Sequence, residues 1–233
     1  MLNANERRTM NFWNELETRI AKYDLLCHPF YQAWSKGELR REELAAYAQQ
    51  YLPHVAAFPT YLSALHAQLA DSLLRRRIAE NLADEEGIGS PDGRPHSDLW
   101  RDFAYGMGAT SAEPIAEVEA LTAKFREYAS GDTANALAAF YAYESQVPRV
   151  AAEKERGLRD LYGADAKTCR YFTLHKTADV HHAQVWRELL DEQLAADSAK
   201  ADAALNAAET AAQALWNALD GIERSRVAKR TIQ

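Results

Sequence analysis

Three residues at helical spacing carry the sharpest chemical signal in this sequence: His175, Asp179 and His182, in the run Tyr171-Phe172-Thr173-Leu174-His175-Lys176-Thr177-Ala178-Asp179-Val180-His181-His182. At about 100° per residue, Asp179 and His182 fall about 40° and about −20° from His175, so one helix face presents two imidazoles and a carboxylate. His181 falls at about 240° and points elsewhere. Tyr171, Phe172, Ala178 and Val185 on that face are largely apolar, so the trio is expected to enter a core. A buried imidazole or carboxylate without a partner costs free energy, and a metal ion satisfies all three at once. A solvated face is the plainer alternative, because Lys176 and Glu188 give this helix an exposed side as well.

Glu144 strengthens the metal reading. It ends a run, Ala138-Ala139-Phe140-Tyr141-Ala142-Tyr143, in which every residue is apolar or aromatic. An ordinary glutamate hydrogen-bonded to a tyrosine would look the same. Asp84-Glu85-Glu86 closes another helix before a Gly/Pro-rich loop, and His96 opens the next, a pattern also common at plain surfaces. Together these segments offer three histidines and three carboxylates. Two first-row metals bridged by carboxylates need about that many ligands, with positions left open for dioxygen. Nitrogen and oxygen ligation without thiolate favours iron or manganese over structural zinc. No Glu-x-x-His pair of the ferritin-like kind is intact.

The elements that must position these residues are helical. Hydrophobic period is helical nearly throughout, as in Leu44, Tyr47, Ala48, Tyr51 and Leu52, and no period-2 strand is evident. The spacing predicts helices over about 6–23, 25–35, 41–69, 71–86, 96–107, 113–129, 133–161 and 167–194, with an Ala-rich ninth over 198–224. Asp132 or Thr133 can cap one of them, and Asp165 or Thr168 another. Pro148 removes the amide that the Glu144 carbonyl would use, so a bend is expected there; Pro53 and Pro59 imply a bent or interrupted helix. On a continuous helix Lys154 lies at about −80° from Glu144, near the same side. The expected architecture is one all-α domain over 1–233, with 196–233 a less specified tail whose Leu205, Leu215, Trp216 and Leu219 pack on the bundle or on a partner subunit.

Composition excludes several classes. The 233 residues carry 27 basic and 34 acidic side chains, a net charge of −7, which disfavours nucleic-acid or anionic-membrane binding. Ten glycines and seven prolines are too few for a turn-rich β protein, and two cysteines are too few for a disulfide framework or zinc site. No run of 18 apolar residues and no leader pattern occurs, so a soluble, cytoplasmic protein is expected.

Four stretches resemble a known family. They are Phe30-Tyr31-Gln32-Ala33-Trp34-Ser35-Lys36-Gly37-Glu38-Leu39, Ala57 to His66 (AFPTYLSALH), Tyr143-Glu144-Ser145-Gln146-Val147-Pro148-Arg149, and Tyr171 to Ala183. Over roughly residues 11 to 195 the chain is similar to the chlamydial protein associating with death domains and its bacterial relatives, among the haem-oxygenase-like di-metal oxidases related to thiaminase II and pyrroloquinoline-quinone synthase. The resemblance implies a haem-oxygenase-like bundle of about seven to nine helices. It implies metal ligands at Glu85, His96, Glu144, His175, Asp179 and His182, with iron or mixed manganese–iron occupancy. The Gly87–Pro95 loop is longer than the family's, which leaves Glu85 and Glu86 as competing ligands.

The implied activity is oxygen-dependent production of p-aminobenzoate for folate synthesis, with an external reductant. The protein itself is consumed: Tyr31 would supply the aromatic ring and Lys154 the amino group, with Tyr143 and Tyr171 as redox or positioning residues near the metals. A homodimer is expected from the same resemblance. Three other readings stand beside it. A multi-turnover oxygenase would use the same ligands on a small external substrate. A thiaminase-II-like hydrolase would need Cys27 or Cys169 as nucleophile. A non-catalytic interaction protein would need a docking motif, and none is recognisable.

Overall fold

Aspartates and prolines set where the helices begin. The computed structural model describes residues 4–90 and 92–232, which form ten α-helices and two 3₁₀ turns, with no strand among the described residues. These are α1 (Ala4–Ala21), α2 (Pro29–Ser35), α3 (Arg41–Gln68), α4 (Ser72–Glu85), α5 (His96–Met107), α6 (Ala116–Ala129), α7 (Thr133–Glu144), α8 (Val147–Asp160), α9 (Ala166–Ala196) and α10 (Ala201–Ile232). Asp71, Asp132 and Asp165 cap α4, α7 and α9 by accepting hydrogen bonds from first-turn amides. Pro29 starts α2, where its missing N–H costs nothing, and His28 Nδ1 accepts from the Phe30 amide.

Three elements depart from the expected helices. The span 133–161 is two helices, broken at Ser145-Gln146, because Pro148 has no amide for the Glu144 carbonyl. Gln146 sews the break shut: its side chain accepts from the Leu25 amide at 3.0 Å and donates to the Ala142 carbonyl at 3.1 Å. The span 25–35 is a 3₁₀ turn, Leu25–Cys27, followed by α2. By contrast, α3 runs uninterrupted through Pro53 and Pro59. The tail is longer than expected, extending α10 to Ile232, and it lies on this chain's own bundle.

Helix α9 runs through the middle, against α5, α7 and α8, while α3 packs on α5 and α6. Helix α10 covers α7, α6 and α1, burying Leu205, Leu215 and Leu219. Beneath α9 lies an aromatic layer in which Trp34, Tyr47, Trp100, Phe103 and Phe172 meet edge to face or tilted at 4.9–6.3 Å between ring centres. Gly157 permits one of these contacts, since a Cβ there would sit 2.8 Å from the Trp34 ring. Helix α8 can therefore press against α2, which carries Tyr31.

Candidate metal centre

Each site residue sits where a helix ends, begins or faces inward. Glu85 is the last residue of α4 and is buried, whereas Glu86 points to solvent. His96 is the first residue of α5. The loop between them returns at Gly87, whose φ of +70° suits glycine, and whose Cβ would lie 2.4 Å from the Arg94 backbone. Ion pairs from Arg94 to Asp102 and from Arg170 to Asp92, both 2.5 Å, hold the returning strand of that loop. The longer loop thus still delivers His96 Nδ1 to within 3.2 Å of Glu85 Oε2.

Glu144 closes α7, and His175, Asp179 and His182 line the inner face of α9 as their phase predicts; all four are buried. The donor atoms of Glu85, His96 and His175 lie within 4.8 Å of one another, and so do those of Glu85, Glu144 and His182. Glu85 belongs to both trios, so its carboxylate could serve either ion of a pair. Asp179 joins from the side, with Oδ1 3.5 Å from His182 Nδ1.

Neighbouring groups orient the ligands. The His175 Nδ1 contacts the Tyr171 carbonyl at 2.7 Å, leaving Nε2 for a metal. His182 meets Asp84 Oδ2 through Nε2 at 3.2 Å, and its Nδ1 turns towards Glu144 and Asp179. Trp186 donates its indole N–H to Glu144. Neither role was foreseen: the sequence offered Asp84 only as part of the Asp84-Glu85-Glu86 helix end, and its contact with His182 depends on α4 meeting α9.

The donor set fits a metal pair. His96 Nδ1, Asp179 Oδ1 and His182 Nδ1 are buried and none is satisfied by an aligned hydrogen bond. Burial pushes the Asp179 and Glu144 carboxyls up, only partly offset by His182. Burial works against the His182 cation, yet Asp179 and Glu144 outweigh it and raise its pKa. Burial lowers His175 to about 3, so it is a neutral imidazole able to ligate. Such a cluster needs added positive charge, and dications supply it.

A second layer lies one ring away. Tyr143 and Tyr171 wall the small cavity at the cluster, and both also wall a second cavity bounded by Tyr31, Tyr51 and Lys154. Tyr171 stacks on His175 with ring centres 3.9 Å apart, and the Tyr143 hydroxyl interacts with those of Tyr51 and Tyr171. Lys154 is buried with Nζ 4.4 Å from the Tyr31 ring centre, and burial sets its pKa well below that of an ordinary lysine. Its Nζ lies 2.5 Å from the Tyr47 hydroxyl, which in turn lies 2.9 Å from that of Tyr31. Tyr47 looked like a core residue in the sequence; its place in this chain of hydroxyls is visible only in three dimensions.

Comparison with known proteins follows the same lines. Residues 45–216 match a family profile described as iron-containing redox enzyme. The chain is 41% identical over 218 residues to a 4-aminobenzoate synthase of Chlamydia trachomatis, covering 91% of each chain. It is 38% identical over 233 residues to one of Nitrosomonas europaea, covering 93% of each. Among solved structures, a domain of unknown function with a heme oxygenase-like fold from Shewanella denitrificans superposes with a TM-score of 0.78 at 15% identity, covering 94% of each chain.

Proposed function

This chain belongs to the iron-containing redox enzymes with a haem-oxygenase-like fold, and from that premise we propose that it makes p-aminobenzoate from its own Tyr31. In this reading Glu85, His96, Glu144, His175, Asp179 and His182 hold two metal ions, Fe/Fe or Mn/Fe. When bound, the pair supplies oxidising power drawn from dioxygen, with an external reductant. Tyr143 and Tyr171 stand between the metals and Tyr31, so oxidising equivalents have a path of phenols to cross. Lys154 carries the amino group. Desolvation keeps it unprotonated, with its lone pair free for bond formation, and its six flanking rings exclude water.

One observation carries the choice of an internal substrate. The cavities at the cluster and at Lys154 measure about 10 and 20 Å³, roughly the room for one water each. An external aromatic substrate has no place there, while Tyr31 and Lys154 already occupy the position. That disfavours a multi-turnover oxygenase. A thiaminase-II-like mechanism lacks its nucleophile, since neither the exposed Cys27 nor the buried Cys169 lines the cavity at the cluster or the one at Lys154.

The test is isotopic. Protein made with ring-labelled tyrosine, loaded with iron and supplied with reductant and oxygen, should release ring-labelled p-aminobenzoate, once per chain. Tyr31→Phe should release none while retaining both metals. Unlabelled product from fully labelled protein would refute the reading. A homodimer in a reducing cytoplasm completes the proposal, and sedimentation velocity tests the dimer; no helix among the described residues is long and apolar enough to cross a membrane.

A further inference from the structure

A product that forms at Lys154 has no room to stay in a cavity of about 20 Å³. A cavity of about 830 Å³ opens between the start of α3, the loop after α5 and the end of α10. That is within the range of small-molecule sites, and far above the cavities at the reacting residues. Phe30 forms part of its wall. The same ring is fully buried and sits 5.9 Å from Tyr31 and 5.0 Å from Tyr47, centre to centre, so the cavity wall packs directly on the two tyrosines beside Lys154.

The lining is suited to an aromatic anion. Phe30, Met107, Ile115 and Ile222 supply an apolar floor. Arg40, Arg41, Arg226 and Lys229 stand around it with Glu42 and Glu43; Arg226 is paired with Glu223 at 2.5 Å and Arg40 with Glu42 at 3.3 Å. Glu43 is already engaged by Arg230 at 2.5 Å and by Arg40 at 3.5 Å, so it offers little repulsion to an incoming carboxylate. Lys229 makes no ion pair among the described residues, and its charge remains available. The Gln49 side chain, half-buried in the wall, makes no hydrogen bond among the described residues and can serve a carboxylate or an amine.

We propose that this cavity is a binding site for an aromatic carboxylate, holding the released p-aminobenzoate on its way out, a role that rests on the function proposed above. The ring lies over the apolar floor and the carboxylate at Lys229, which is unpaired among the described residues.

Calorimetric titration of the iron-loaded protein with p-aminobenzoate tests this. Binding should saturate with one molecule per chain, and the neutral 4-aminobenzamide should bind about tenfold more weakly or worse. Lys229→Glu should weaken p-aminobenzoate by about tenfold, and Ala46→Trp, which fills the cavity, should abolish binding. Ala112→Trp from the facing loop serves if Ala46→Trp melts early. Both variants leave the metals and the labelled-tyrosine assay intact. Absence of saturable binding, equal binding of the amide, or full binding to a folded filling variant overturns the proposal. Labelled product without binding removes the cavity site alone; binding without labelled product removes the tyrosine source alone and leaves the site standing.

Discussion

Lysine 154 is the residue on which the proposed chemistry can be tested without any turnover. Its ammonium would be surrounded by the rings of Tyr31, Trp34, Tyr47, Tyr51, Trp100 and Phe172, with the Tyr47 hydroxyl as its one hydrogen-bond partner among the described residues. No carboxylate pairs with it among the described residues. Burial therefore lowers its pKa far below the 10.5 of the unfolded chain. The unfolded state binds the extra proton, so stability must rise with pH across the window between the folded value and 10.5. The slope from this one group is about 1.4 kcal/mol per pH unit. Lys154→Met keeps the length and apolar stem, removes the titration, and loses one hydrogen bond of about 1 kcal/mol at every pH. Relative to the parent, the variant should gain stability at neutral pH, and the gap should narrow as pH rises towards 10.5, by at most about 1.4 kcal/mol per pH unit. Urea unfolding followed by circular dichroism, with both proteins at the same metal loading, measures that difference, since every other group titrates alike in the two. Parallel stability curves would mean that Lys154 is charged in the fold, and a charged lysine is no nucleophile. The variant should also yield no p-aminobenzoate while holding both metals.

Three further outcomes follow from the same geometry. Gly87→Ala forces a Cβ into the Arg94 backbone at a left-handed φ, which should displace His96 from Glu85 and lower metal content from two ions to one, read by elemental analysis. Asp84→Leu removes the acceptor on His182 Nε2 and should weaken metal binding by about tenfold in competition with a chelator. His54 is buried among Tyr51, Tyr61, Phe125 and Tyr143 with both ring nitrogens unsatisfied, and burial lowers its pKa to about 3. The unfolded imidazole takes up a proton as pH falls below 6.5 and the folded one does not, so the parent loses stability down to about pH 3. His54→Phe should flatten that loss and raise the melting temperature at neutral pH; a marked destabilisation would reveal a hidden partner for the ring.

The sequence by itself determined more of this protein than its plain composition suggests. The phase of His175, Asp179 and His182 on α9 follows from helix geometry alone, whereas the apolar run before Glu144 pointed to its burial and left an ordinary glutamate open as well. Local rules also narrowed the caps to Asp132 or Thr133 and to Asp165 or Thr168, of which the aspartates serve, because a cap is a contact within a few residues of chain. What lay beyond reach depends on contacts between distant segments. The break at Ser145-Gln146 was legible as a bend at Pro148, but its depth was set by Gln146 binding the Leu25 amide from 121 residues away. Glu85 rather than Glu86 faces inward because α4 packs its Glu85 side towards α5 and α9, a choice of rotation made by tertiary packing. Tyr47 read as a core tyrosine until α8 brought Lys154 to its hydroxyl. Sequence spacing sets which side chains share a face of one helix. Only the packing of helices decides which faces meet, because that depends on the summed burial of surfaces drawn from the whole chain.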